Sequence, residues 1–348
     1  MISRYILSQA TRPRGAPKLT DIAVAHVSSP RITAYPWSPG IGFGTKYTNP
    51  GTLPAGASYG GVAFCDGTDV VVGHAVTPFV SAYPWTPGGG FGTKYTNPGT
   101  LPAGIIKESA FCDGTDIALS CLTTPFVYGY PWTPGSGFGT KYTNPGTLPT
   151  DDGYGVAFCG NTDVAVSHVA SPRVTAYPWT PGSGFGTKYT NPGTLPTGDG
   201  THVAFCGGTD VAVSHAITPF VTAYPWTPGG GFGTKYTNPG TLPASSGWGV
   251  AFCGNTDIAV SHVDLPRITA YPWTPSGGFG TKYSDPGTKP TGTGLRLAFC
   301  GSTDIAVSHS TTPYVSAYPW TPGGGFGTKY TNPGTLPTGD GYGVAFSS

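Results

Sequence analysis

Six histidines occupy one recurring position, His26, His74, His168, His215, His262 and His309, and six cysteines another, Cys65, Cys112, Cys159, Cys206, Cys253 and Cys300. Imidazole and thiolate are common metal ligands and nucleophiles, so their spacing decides what chemistry is open to them. Each type recurs about once per 47 residues, which sets one copy on each repeated unit. No two imidazoles are then expected to share one ion at bond lengths of about 2 Å. The same separation is too wide for the roughly 4.4–6.8 Å between Cα atoms that a disulfide requires. No CxxC pair occurs, and Cys121 stands where the other copies have His. The thiols therefore read as small buried side chains kept reduced, and the histidines as structural hydrogen-bonding groups.

Other motifs are equally weak. Asp21, Asp69, Asp116, Asp163, Asp210, Asp257 and Asp304 follow Thr in register and read as turn caps; no DxDxDG calcium spacing is present. There is no GxSxG, and Glu108 is the single glutamate. GGGFGTK lacks both the GK[ST] ending and the following helix of a phosphate loop. The expectation is no catalytic residue, no metal, no cofactor and no enzyme.

The elements that carry these residues are short and repeated. FGTKY begins at Phe43, Phe91, Phe138, Phe185, Phe232, Phe279 and Phe326, spaced by 48 residues once and 47 thereafter. One unit, residues 156–203, reads as four strands, A to D in order: VAFC at 156–159, DVAVSH at 163–168, RVTAYPW at 173–179 and FGTKYT at 185–190. Pro and Gly punctuate the joints, as TPGSG does between the third and fourth strands. Gly (56) and Pro (37) are abundant, but a strict period makes them recurring turns rather than marks of disorder. The pattern enters at Thr20-Asp21 in a second strand and ends in GYGVAFSS (341–348), a first strand. Sharing one unit between the two ends closes a ring with no open sheet edge.

The prediction is an all-β, seven-bladed β-propeller with four antiparallel strands per blade, spanning residues 20–348, preceded by a basic arm over residues 1–19. Strand A with its turn, VAFCGNTDVAVSH, resembles the WD40-like propellers, although strand C ends in YPW without the family's Asp. That resemblance implies a toroidal binding platform, generally without catalysis. It carries no ligand with it.

Net charge is +1, which gives no pull toward nucleic acid, and no apolar run marks a signal peptide or membrane insertion. The arm holds Arg4, Arg12, Arg14 and Lys18 without an acid and is expected to order on a partner. Seven tryptophans, Trp37, Trp85, Trp132, Trp179, Trp226, Trp273 and Trp320, end strand C. They either pack blade against blade or offer one sugar-stacking shelf per blade, as in a multivalent lectin for cell-surface glycans.

The copies differ most at two adjacent positions before VAF. The first reads Gly60, Lys107, Tyr154, Thr201, Trp248, Leu295, Tyr342; the second reads Gly61, Glu108, Gly155, His202, Gly249, Arg296, Gly343. Such variation is either loop drift or a face that binds one asymmetric protein partner through Lys107, Glu108, Tyr154, His202, Trp248, Arg296 and Tyr342. Repetition, low charge and a docking arm resemble accessory components of bacteriophage particles, such as tail, fibre or decoration proteins. A rigid assembly module made in the cytoplasm and built into a virion is the functional expectation.

Overall fold

A computed structural model describes residues 20–347. Its 28 strands, numbered in chain order, form seven separate four-stranded antiparallel sheets and no helix. Blade 4 shows the plan: β12 (Gly153–Cys159), β13 (Asp163–His168), β14 (Val174–Thr180) and β15 (Gly184–Phe185) pair in sequence order. First strands of neighbouring blades pack side by side, so they line the central channel. The ring closes in blade 1, where β28 (Gly341–Phe346) lies beside β1 (Thr20–His26), followed by β2 (Ile32–Ser38) and β3 (Gly42–Phe43). The seven-bladed propeller is thus the fold of the described residues.

Two strands differ from their sequence reading. The fourth strand is a two-residue element, not FGTKYT. Pro178 faces it with a carbonyl, which accepts from Gly186 N at 2.8 Å, but has no N–H to return, so the ladder stops. Its continuation re-attaches at Tyr189 N→Ala176 O, 2.9 Å. The third strand begins at Val174 because Arg173 sits at φ +73°, outside the β region.

Every residue of β13 is buried, polar ones included, because each sheet is sandwiched between two neighbours. The tie between blades is an aspartate that sequence reading placed at a turn. Thr162 Oγ1 holds the turn by donating to Cys159 O (3.1 Å), while Asp163, fully buried, reaches toward the next blade. Its Oδ2 accepts from Thr162 Oγ1 at 2.8 Å and from the Trp226 indole of blade 5 at 3.4 Å; its Oδ1 accepts from Tyr189 OH. The Tyr189 phenol is held above its ordinary pKa, first by burial and then by the bond to Asp163, so it stays a donor. The Trp–Asp bond recurs at all seven blade junctions at 2.9–3.4 Å. Asp163→Ala leaves the Trp226 indole and the Tyr189 phenol without their acceptor, while Thr162 keeps its bond to Cys159 O. At about 1 kcal/mol or more for each of the two, it should cost about 2 kcal/mol or more, read as a lower urea midpoint.

Those bonds settle the seven strand-C tryptophans. Each is only 3–4% exposed, with its indole edge on the neighbouring blade's aspartate, so none offers a face to a sugar. They are the inter-blade packing, and the shelf reading of Trp37, Trp85, Trp132, Trp179, Trp226, Trp273 and Trp320 is corrected accordingly. The six recurring histidines are also buried, Nε2 to a Thr or Ser hydroxyl seven residues on, at 2.8–3.0 Å. In blade 3, Cys121 replaces the histidine and Tyr128 replaces the hydroxyl partner, so neither half of the pair is left behind. The repeated thiols are buried and unpaired in disulfides, and burial pushes Cys159 up to about 11.

Candidate functional site

One backbone irregularity builds the asymmetric region. In six blades the first strand carries an extra residue against its neighbour. In blade 4, Gly153 pairs with His168 and Gly155 with Ser167, which leaves Tyr154 unpaired. A β-bulge re-aims its extra side chain. The residues so placed are Lys107, Tyr154, Thr201, Trp248, Leu295 and Tyr342, the first variable position of the sequence. Blade 2 has Gly60 there at φ +148°, where a Cβ would fall 2.0 Å from the Lys107 carbonyl oxygen.

The second variable position points into the channel. Glycine alternates with large side chains: Gly155 separates Glu108 from His202, and a Cβ on it would meet His202 Cα at 2.9 Å. The room left by the glycines lets Glu108, His202 and Arg296 meet across the axis. Arg296 Nε donates to Glu108 Oε2 at 2.9 Å. Its Nη1 donates to Trp248 O (2.6 Å) and Leu295 O (3.3 Å), its Nη2 to Tyr154 O and Thr201 O (both 3.3 Å). Five donors thus engage groups from blades 3 to 7, and one side chain fastens most of the ring. His202 Nε2 lies 3.4 Å from Glu108 Oε2. Burial pushes the Glu108 carboxyl up, but the His202 hydrogen bond and the Arg296 charge outweigh it and hold the group below its ordinary value.

Glu108 and Arg296 are 8% and 6% exposed. They plug the channel and are spent on each other rather than presented on a docking face. Glu108→Ala strands the Arg296 guanidinium and should cost about 3–5 kcal/mol, whereas Glu108→Met/Arg296→Met should recover most of that loss. Urea unfolding of the two variants checks it.

Above the plug, the rest of the set forms two features. Lys107 Nζ sits over three tyrosine rings, with centroids at 5.4 Å (Tyr59), 5.2 Å (Tyr154) and 5.8 Å (Tyr342). Tyr59, which meets Tyr342 edge to face at 5.3 Å, was missed by sequence reading. Its signal was present: five copies have glycine at that position and blade 3 has Ile106. The second feature is a cavity of about 250 Å³ walled by Tyr154, Trp248, Val169, Ala216 and Val263, with Asp199 at its edge. It exists because blade 5 offers only Thr201 between two large aromatics, and that hydroxyl is turned away to Gly247 O at 2.6 Å. Burial, then the charges of Asp152 and Asp199, hold the Tyr154 phenol above its ordinary value, against the opposing charge of Arg296.

No group of three or more His, Cys, Asp or Glu side chains stands close enough to hold a metal among the described residues. No helix there is long and apolar enough to cross a membrane. Arg4, Arg12, Arg14 and Lys18, the expected docking arm, lie outside the described residues.

No protein-family model matches the chain, and no curated protein matches it. Solved structures match its fold. A candidate 6-phosphogluconolactonase from Bacteroides uniformis superposes with a TM-score of 0.71 at 12% identity, over 94% of this chain and 99% of that one. The WD40 propeller domain of Doa1 gives 0.58 at 12% identity, over 86% and 88%. Virginiamycin B lyase from Staphylococcus aureus gives 0.53 at 15% identity, over 75% and 84%. These likenesses establish a propeller with WD40 and other propeller neighbours. They also correct the expectation that the chain is not an enzyme. The inference ran from missing catalytic motifs and a generally non-catalytic resemblance, whereas this fold is shared with a lyase and a candidate lactonase.

Proposed function

We propose that this propeller is a binding module that seats an extended segment of a partner protein across its channel mouth. In this reading a long side chain with a positive head fills the cavity between Tyr154 and Trp248. The observation that carries it is the cavity itself, aromatic and aliphatic in its walls and bordered by Asp199. Apolar walls suit the methylene stem of a lysine or arginine, and the carboxylates near Tyr154 suit its charge. Arg173 lies 3.4 Å from the half-exposed Asp199 and is the cation an incoming one would displace. The partner class carried from the sequence is an assembly component such as a phage tail, fibre or decoration protein. It rests on the repeat character of the chain and on analogy.

Selection from a displayed random-peptide library tests the binding reading. Peptides enriched on the full chain should share a Lys or Arg and lose at least tenfold in affinity on Trp248→Ala and on Asp199→Lys. Equal affinity for both variants, or enrichment without a basic residue, overturns it.

A further inference from the structure

We propose that Lys107 is a reactive amine that condenses with an aromatic aldehyde at the channel mouth. The geometry sets it apart from the other described lysines, of which Lys289 also bonds no acceptor but is exposed. Lys46, Lys94, Lys141, Lys188, Lys235, Lys282 and Lys329 each bond an Asn or Asp three residues on. Among the described residues, Lys107 Nζ makes neither a hydrogen bond nor an ion pair, and is surrounded by the rings of Tyr59, Tyr154 and Tyr342. The nitrogen lone pair is therefore free of a donor once the proton leaves, and the walls around it are surfaces on which an aromatic ring stacks.

Burial and the Arg296 guanidinium favour the neutral amine, against the pull of Glu108 and of the three tyrosine faces on the ammonium. Burial and then the Arg296 guanidinium lower Lys107 to about 8, against a smaller opposing pull from Glu108. Tyr154 and Tyr342 are held above their ordinary values, chiefly by burial, so neither supplies a phenolate to stabilise the ammonium. The step balances without a redox partner. The Nζ lone pair attacks the carbonyl carbon, a carbinolamine forms, and loss of one water leaves a C=N bond to Nζ.

The test uses benzaldehyde and sodium cyanoborohydride, whose hydride fixes the imine as a secondary amine, followed by peptide mass spectrometry on the folded chain. At pH 8 a pKa near 8 raises the unprotonated fraction about 100-fold over an ordinary lysine, and lower intrinsic nucleophilicity offsets part of that. Lys107 should therefore label about tenfold faster than the other lysines, with a pH midpoint near 8. Tyr59→Leu/Tyr342→Leu opens the cage and should erase that preference while Lys107 remains. Uniform labelling across the lysines, a Lys107 midpoint above pH 10, or unchanged labelling in the double variant overturns the proposal. Circular dichroism of each sample confirms that the labelled protein is folded.

Discussion

A chain ending at residue 340 is expected to lose the closed ring, and the synthetic octapeptide GYGVAFSS added in trans to restore it. The argument is in the register of blade 1. Phe346 pairs with Ile22, Ala345 with Ala23, Val344 with Val24 and Gly343 with Ala25. Ser347 then clamps the end, with its N donating to Asp21 O (2.9 Å) and its Oγ accepting from Asp21 N (2.8 Å). Val344 and Phe346 are 6% and 7% exposed, and Phe346 packs edge to face on Trp37 at 5.2 Å. Burying two such side chains contributes about 3–6 kcal/mol. That is a large fraction of the roughly 5–15 kcal/mol by which domains are stable. Its loss also opens β1 as an edge strand and removes the wall on which blades 2 and 7 pack. Size-exclusion chromatography should show the shortened chain expanded or self-associated. The octapeptide should return a compact monomer, and a scrambled octapeptide should not. A compact monomer with the full-length urea midpoint and no peptide would show that the last strand does not close the ring.

That closure was legible from the sequence because a strict period turns position into topology. A chain that enters at strand B and finishes with strand A has one natural way to complete a sheet. The Asp–Trp ties were not legible, although both residues recur in every copy. Asp163 and Trp226 are 63 residues apart and belong to different blades, and a repeat fixes register within a blade but not which neighbour a side chain meets. The mouth was partly legible. Its variable positions stood out, but the bulge that separates Lys107 from Glu108 was not. One extra residue sends the first of the pair to the rim and the second into the channel, whereas sequence reading set both on one face. Tyr59 escaped for a related reason: it replaces a glycine, and a missing glycine draws less notice than an added charge.

Acidification is expected to unfold the protein steeply near pH 5, with an uptake of about five protons by imidazoles alone. His26, His74, His168, His215, His262 and His309 are each lowered from 6.5 to about 4, chiefly by burial. The folded state therefore binds fewer protons than the unfolded chain between pH 6.5 and about 4. Stability is fully present above pH 6.5 and falls as pH drops through that window. A shift of that size is worth about 3 kcal/mol per group, so six together approach 20 kcal/mol, more than the usual stability of a domain. Unfolding is then expected before the lower end of the window is reached. The Glu108 carboxyl, held below its ordinary value, adds a loss of the same sign at lower pH. Tryptophan fluorescence against pH gives the midpoint, and the dependence of the urea midpoint on pH gives the proton number. His168→Gln keeps a donor for Thr175 and should lower the uptake by one. An uptake of one or two protons, or a fold intact at pH 4, would mean that these imidazoles are accessible enough to charge in place. Blade 3 shows how the same position works without this liability, since Cys121 with Tyr128 fills it and carries no charge at any pH in the window.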